Sequence, residues 1–180
     1  MLKWFLTRAL DANRKALGGV EMDWAYRLRD VAPWQLLRFS LIKTVEGPRR
    51  ITPPSVYHAA GLAAAMVEDC GPCVQIHVNL ALKDSVDAHS LEALLRRDFA
   101  RCEAEAALAF QFGDAVARGE DASELRDQIA ARWGERGVIE LSFTIATARF
   151  YPAVKRGMGY ARACEKIKIG STETYAHKAA

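Results

Sequence analysis

The sequence predicts an all-α protein, a bundle of helices in a single domain. Three observations lead there. Apolar residues recur at intervals of three and four over long stretches. Those stretches are rich in alanine, leucine and other strong helix formers. Glycine and proline fall mainly between the periodic segments, where they stop one helix and start the next.

Taken in order, Leu2, Phe5, Leu6, Ala9, Leu10 and Leu17 form a stripe that predicts a helix over 2–17, ended by Gly18-Gly19. A second helical piece is expected over about 22–31 before Pro33, and a third over about 33–45 before Gly47-Pro48. Thr52-Pro53-Pro54 has the form of a helix start, with Thr52 as cap and proline in the first turn. Residues 55–67 are alanine-rich and would let another helix approach closely. From about 88 to 118, Leu91, Leu94, Leu95, Phe99, Ala106 and Phe110 predict one long helix ending at Gly119. Asp121-Ala122-Ser123-Glu124 reads as a capped start for a helix to about Trp133, closed by Gly134.

Two segments stay open on pattern alone. Residues 74–80 and 139–145 alternate apolar and polar with period two, which is strand-like. A helix through the first would instead bring Cys70, Cys73 and His77 within about 60° of arc, because there are 3.6 residues per turn. The tail from Gly170 to Ala180 is small and polar enough to fray.

Composition bounds the function. Hydrophobic residues make up 51% and charged residues 26% of the 180, which is globular rather than disordered. A chain of this length buries roughly 70% of its unfolded-state surface as one domain. The expected division is a helical extension over about 1–50 and a core over about 51–165. The net charge of +3 is small and its arginines are scattered, so no nucleic-acid stripe is expected. No window reaches the ~20 apolar residues of a membrane span. The N-terminus is broken by Lys3 and Arg8 and lacks a secretory h-region, so a cytoplasmic location is expected. Trp4, Trp24, Trp34 and Trp133 read as core or interface packing. Arg149, Tyr151 and Arg156 read as surface groups that could line a pocket.

The chemistry concentrates at residues 68–77, Glu-Asp-Cys-Gly-Pro-Cys-Val-Gln-Ile-His. Two thiols at this spacing can close a small disulfide ring, and a nearby imidazole can move the proton that makes one a thiolate. In a reducing compartment such a pair points to catalysis or metal binding rather than to a disulfide framework. Cys102 and Cys164 stand alone and are expected to be buried and inert. Two other readings compete. Cys70, Cys73, His77 and His58 would make a Cys2His2 zinc set, though the sequence offers no second paired-ligand motif. A non-enzymatic binding or oligomeric bundle would keep the cysteines as a redox-sensitive packing element. A thioredoxin-like fold, prompted by Cys-Gly-Pro-Cys, would need a strand before the motif, where 55–67 reads as helix.

The run Cys70-Gly-Pro-Cys73-x-x-x-His77, with Ala81 four further on, resembles the alkylhydroperoxidase D-like and carboxymuconolactone decarboxylase-like superfamily. The resemblance spans about 50–160, extending weakly to Gly137–Leu141 and the helix after it, and is specific only in its ten-residue core. It implies a helical bundle, with both open segments helical, assembled as a homo-oligomer, a trimer or hexamer. It implies that Cys73 attacks a hydroperoxide, that Cys70 closes the disulfide, that His77 carries protons, and that a dithiol partner reduces the pair. The implied substrate is a hydroperoxide or disulfide, with no cofactor and no metal. The family's peroxidases carry a glutamate twelve residues before the first cysteine; here that position is His58. Histidine can relay protons near neutral pH, and Glu68 is a nearby candidate base. The decarboxylases generally lack paired cysteines, so the pair argues against that activity.

Overall fold

The computed structural model describes residues 1–160, 166–170 and 172–175. Helix accounts for 74% and strand for 4%, so the fold class is all-α. The N-terminal helices are α1 (Leu2–Ala16), α2 (Asp23–Val31), α3 (Pro33–Ser40) and the short α4 (Ile42–Glu46). The remaining helices are α5 (Pro54–Val67), α6 (Gly71–Lys83), α7 (Ala88–Leu95), α8 (Ala104–Arg118) and α9 (Ser123–Gly157). A hairpin follows, β1 (Lys166–Ile169) antiparallel to β2 (Thr172–Tyr175), with Lys166 opposite Tyr175.

Helix α5 is the axis of the bundle. It is buried from Val56 to Met66 apart from Tyr57, and packs against α6, α8 and α9. Its alanines serve the purpose anticipated for them. At Gly113 of α8 the backbones come so close that a Cβ would lie 2.5 Å from the Ala60 carbonyl oxygen. A second, smaller apolar cluster joins Leu6 and Leu10 of α1 to Met22, Trp24, Ala25 and Leu36.

Several boundaries differ from expectation, and at Thr52 and Arg97 tertiary contacts explain why. The 33–45 helix is divided at Leu41 into α3 and α4. Thr52 is not a cap: Pro53 precedes α5, while the Thr52 amide and hydroxyl both donate to Glu140 of α9. The long helix over 88–118 is broken into α7, a 3-10 turn at Phe99–Arg101, and α8. Arg97 adopts φ 58° there, its guanidinium pairs with Asp114 at 2.7 Å, and it stacks over Phe110. Gly134 leaves helical geometry at φ 68°, yet the helix resumes beyond it rather than closing.

Both ambiguous segments are helical, within α6 and α9. Their alternation has another origin. Gln75 bonds the Lys168 backbone of the hairpin, Asn79 donates to the Leu17 carbonyl, and His77 faces a cavity. In α9, Glu140 accepts from the 50–52 amides, Ser142 from its position bonds the Val138 carbonyl, and Thr144 donates to Glu46. Gln75, Asn79, Glu140 and Thr144 each bond a partner far along the chain, so much of the pattern records tertiary contacts instead of a solvated strand face.

The expected fraying of the tail is overturned at Gly170 and 172–175. Ile167 and Ile169 are buried in the main core, and Thr174 is buried beside Arg96. Positions 176–180, like Cys164, lie outside the described residues. Trp24 and, in part, Trp133 pack against apolar clusters, while Trp4 and Trp34 are largely exposed in the single chain. Among the described residues no helix is long and apolar enough to cross a membrane.

Candidate redox site

The chain leaves α5 through Glu68 and Asp69, the latter at φ 50°, and enters α6 with Cys70 as the extended residue before its first turn. Gly71 and Pro72 begin the helix; proline suits a first turn, where its missing N–H would have no helical partner. Cys73 follows in that same turn, its amide donating to the Cys70 carbonyl at 2.9 Å. The Cα atoms are 5.3 Å apart and the sulfurs lie at disulfide-bonding distance. The local geometry of a proline-started helix therefore closes the ring that the spacing allows.

The two sulfurs differ in access. Cys70 is wholly buried, whereas Cys73 lines a cavity of about 520 Å³. The cavity lies between the N-terminal helices and the motif. Leu6 and Leu10 of α1, Trp24 of α2, Leu36 and Phe39 of α3 form its apolar walls, with Ile76, His77 and Leu80 from α6. Tyr151 and Lys155 of α9 complete it. Burial holds the Tyr151 hydroxyl protonated, reinforced by the Glu46 carboxylate.

His77 sits one turn beyond Cys73 on the same wall, with Gly61 of α5 behind it. A Cβ at Gly61 would lie 3.0 Å from His77 Cε1, so the glycine makes room for the ring. Burial pushes the His77 pKa down to about 3, and the cationic Lys43 adds to the effect. The imidazole is therefore neutral at ordinary pH.

The other two expected residues lie elsewhere. His58 is buried in α5 and its Nε2 lies 2.8 Å from Asp84 Oδ2, so it is committed to the far end of α6. Burial lowers its pKa, with Asp84 partly opposing. Glu68 is held by Arg149 at 3.0 Å and Arg156 at 2.9 Å. Burial alone would raise its pKa, but the two guanidinium groups outweigh it and the net shift is downward. That makes Glu68 a weaker base than a free carboxylate. Of the late-helix trio, Tyr151 lines the cavity, while Arg149 and Arg156 clasp Glu68 and tie α9 to the segment before the motif. Cys102 is half-buried rather than buried as expected, and burial raises its thiol pKa, so less of it is thiolate than of a free cysteine.

The zinc arrangement finds no support in this geometry. Among the described residues no three histidine, cysteine or acidic side chains converge as a metal set. His58, which would have to complete the set, is directed to Asp84.

One residue escaped the sequence reading. Lys155, only 3% exposed, places its Nζ 3.5 Å from Cys70 Sγ and 3.8 Å from Cys73 Sγ. The available signal was its position four residues after Tyr151, which puts both on one face of a helix. Searches against family models, curated proteins and solved structures return no match for this chain.

Proposed function

We propose that this protein is a thiol-dependent oxidoreductase that reduces hydroperoxides through Cys70 and Cys73, on a helical bundle of the alkylhydroperoxidase D-like type. The observation that carries the reading is the unequal pair of sulfurs. They lie at bonding distance in the first turn of a helix, and of the two only Cys73 lines the largely apolar cavity. That asymmetry favours Cys73 as the attacking thiolate and Cys70 as the resolver.

The chemistry balances with a dithiol as co-reactant. The Cys73 thiolate attacks the terminal oxygen of R–O–OH, the O–O bond breaks, and the departing alkoxide takes a proton to give ROH. Cys73 is left as a sulfenic acid. Cys70 then attacks that sulfur and expels hydroxide, which is released as water once protonated, and the disulfide forms. A dithiol reduces it by exchange through a mixed disulfide and is itself oxidised. Neutral His77 offers one donor and one acceptor nitrogen, which suits a relay better than a standing acid.

A homo-oligomer is part of the same proposal. Ile139 and Phe143 of α9 are exposed one helical turn apart, and Phe150, which also packs on Phe39, extends the same stripe seven residues on.

The reading is tested by following the thiols. Hydroperoxide should consume two of them and join Cys70 to Cys73, reversibly with a dithiol, and Cys73→Ser should lose turnover. Undiminished turnover in Cys73→Ser would remove the mechanism.

A further inference from the structure

The thiol chemistry needs two services that Cys70, Cys73 and His77 do not readily supply. A thiolate must be stabilised inside a poorly solvated site, and a proton must reach the oxygen that departs. An imidazole held neutral down to about pH 3 is a poor proton source near neutrality. The N-terminus of α6 helps the first need, since Cys73 lies in its opening turn.

Lys155 stands where both could be met. It is carried by the last turns of α9, three residues after Pro152, and reaches the motif from the opposite side of the cavity wall. Its Nζ is 3.5 Å and 3.8 Å from the two sulfurs, close enough to donate to either. Lys155 also lies near Trp24 of α2. The ammonium is 6.0 Å from the indole centroid, at the limit of a useful cation–π contact, and the sulfurs are nearer. Among the described residues, the other polar groups lining the cavity are Asn13 of α1, Ser40 of α3, Lys43 of α4, His77 of α6 and Tyr151 of α9. None of these five is anionic; of the two acidic residues just before the motif, Glu68 is directed to Arg149 and Arg156, and Asp69 adjoins Cys70 in the chain.

We propose that Lys155 is a catalytic residue of this site, pairing its ammonium with the Cys73 thiolate and protonating the oxygen that leaves. The inference rests on the thiol-dependent reading above. The protons balance as follows. Reduced protein holds Cys73–S⁻, Cys70–SH and Lys155–NH₃⁺. The lysine proton goes to RO⁻, giving ROH. Neutral Lys155 then takes the Cys70 proton and passes it to the hydroxide expelled from the sulfenic acid, giving water. Disulfide and neutral amine remain. The incoming dithiol supplies two electrons and two protons, which restore Cys70–SH and Lys155–NH₃⁺ and leave Cys73 as thiolate.

The test needs no peroxide. Alkylation of Cys73 by iodoacetamide is followed against pH in a Cys70→Ser background, with peptide mass spectrometry separating Cys73 from the other thiols. Lys155→Met should raise the midpoint by roughly one to three pH units, the range for loss of a nearby opposite charge. Lys155→Arg, which keeps the charge, should stay near the parent. A Lys155→Met profile that overlays the parent overturns the proposal. Should that variant lose its native circular dichroism, the unsubstituted reduced protein decides. Its Lys155 Nζ resonance should step at the pH where Cys73 titrates, and a flat response there refutes the pairing. If the midpoint shifts but no hydroperoxide is turned over, the Lys155–Cys73 pair holds and the peroxidase reading falls. Turnover with an unshifted midpoint does the reverse.

Discussion

Replacing Gly113 by alanine sets two physical effects against each other at the centre of the bundle. Helix propensity alone favours the change by about 1 kcal/mol, because glycine in a helix interior costs that much relative to alanine. Packing opposes it. The new Cβ would lie 2.5 Å from the Ala60 carbonyl oxygen, 3.0 Å from its Cα and 3.1 Å from its carbonyl carbon. All three are backbone atoms, so no side chain can turn aside. Relief requires α5 and α8 to separate by roughly 1 Å, and a gap of that size forfeits a quarter to a half of each dispersion contact it opens. Overpacking of this kind costs about 3 kcal/mol at the upper end of its usual range. The net loss is then about 2 kcal/mol, equivalent to roughly 4–8 °C in melting temperature for a chain of this size. Thermal and urea denaturation of Gly113→Ala measure it. An unchanged or higher melting temperature would refute the reasoning, since it would mean that the α5–α8 contact has slack. Gly61→Ala is the informative companion. Its Cβ would meet the His77 ring at 3.0–3.1 Å and Thr144 Oγ1 at 3.4 Å, side-chain atoms that can shift. Its stability loss should be smaller, while the His77 ring is displaced.

The half-buried His77 on the cavity wall predicts an acid limb. Its folded-state pKa, about 3, lies below the ordinary value of 6.5, so the unfolded chain binds more protons in between. Stability is therefore fully present above about pH 6.5 and falls as the pH drops toward 3, by about 1.4 kcal/mol per pH unit from this group. His58, also shifted down, adds to the same trend. Urea midpoints at pH 7, 6 and 5 should fall more shallowly in His77→Gln than in the parent, and parallel lines would contradict the assignment. The exposed stripe on α9 predicts self-association: light scattering should give a multiple of the chain mass, and Phe143→Asp should reduce it. A parent protein that is monomeric at working concentration would refute that part of the proposal.

What the sequence disclosed and what it withheld divide along the range of the interactions involved. The Cys70–Cys73 ring depends on residues three apart and on Pro72 opening a helix, both readable locally. The helix stops at Gly18-Gly19 and Gly119 were likewise local. The break around Arg97 was not, since Arg97 pairs with a residue seventeen positions on. Alternation at 74–80 and 139–145 imitated strands because Gln75, Asn79, Glu140 and Thr144 each reach a partner far along the chain. Short strands went unread at 166–175, where only Ile167 and Ile169 carry the apolar alternation of β1. Lysine normally marks solvent, so the spacing of Lys155 from Tyr151 placed it on a helix face but not against two sulfurs 82 and 85 residues earlier. His58 was a sound candidate by position, and only the fold reveals its bond to Asp84.

The central claim is that Cys73 and Cys70 form a working redox pair, and mass spectrometry of the peptide containing both tests it most directly. Fully reduced protein is exposed to one equivalent of an organic hydroperoxide, quenched by alkylation and digested. The account predicts loss of two mass units with a Cys70–Cys73 bond, its reversal by a dithiol, and accumulation of a Cys73 sulfenic acid in Cys70→Ser. Oxidation that falls first on Cys102, or a 70–73 pair that stays reduced while the hydroperoxide is consumed, would contradict it.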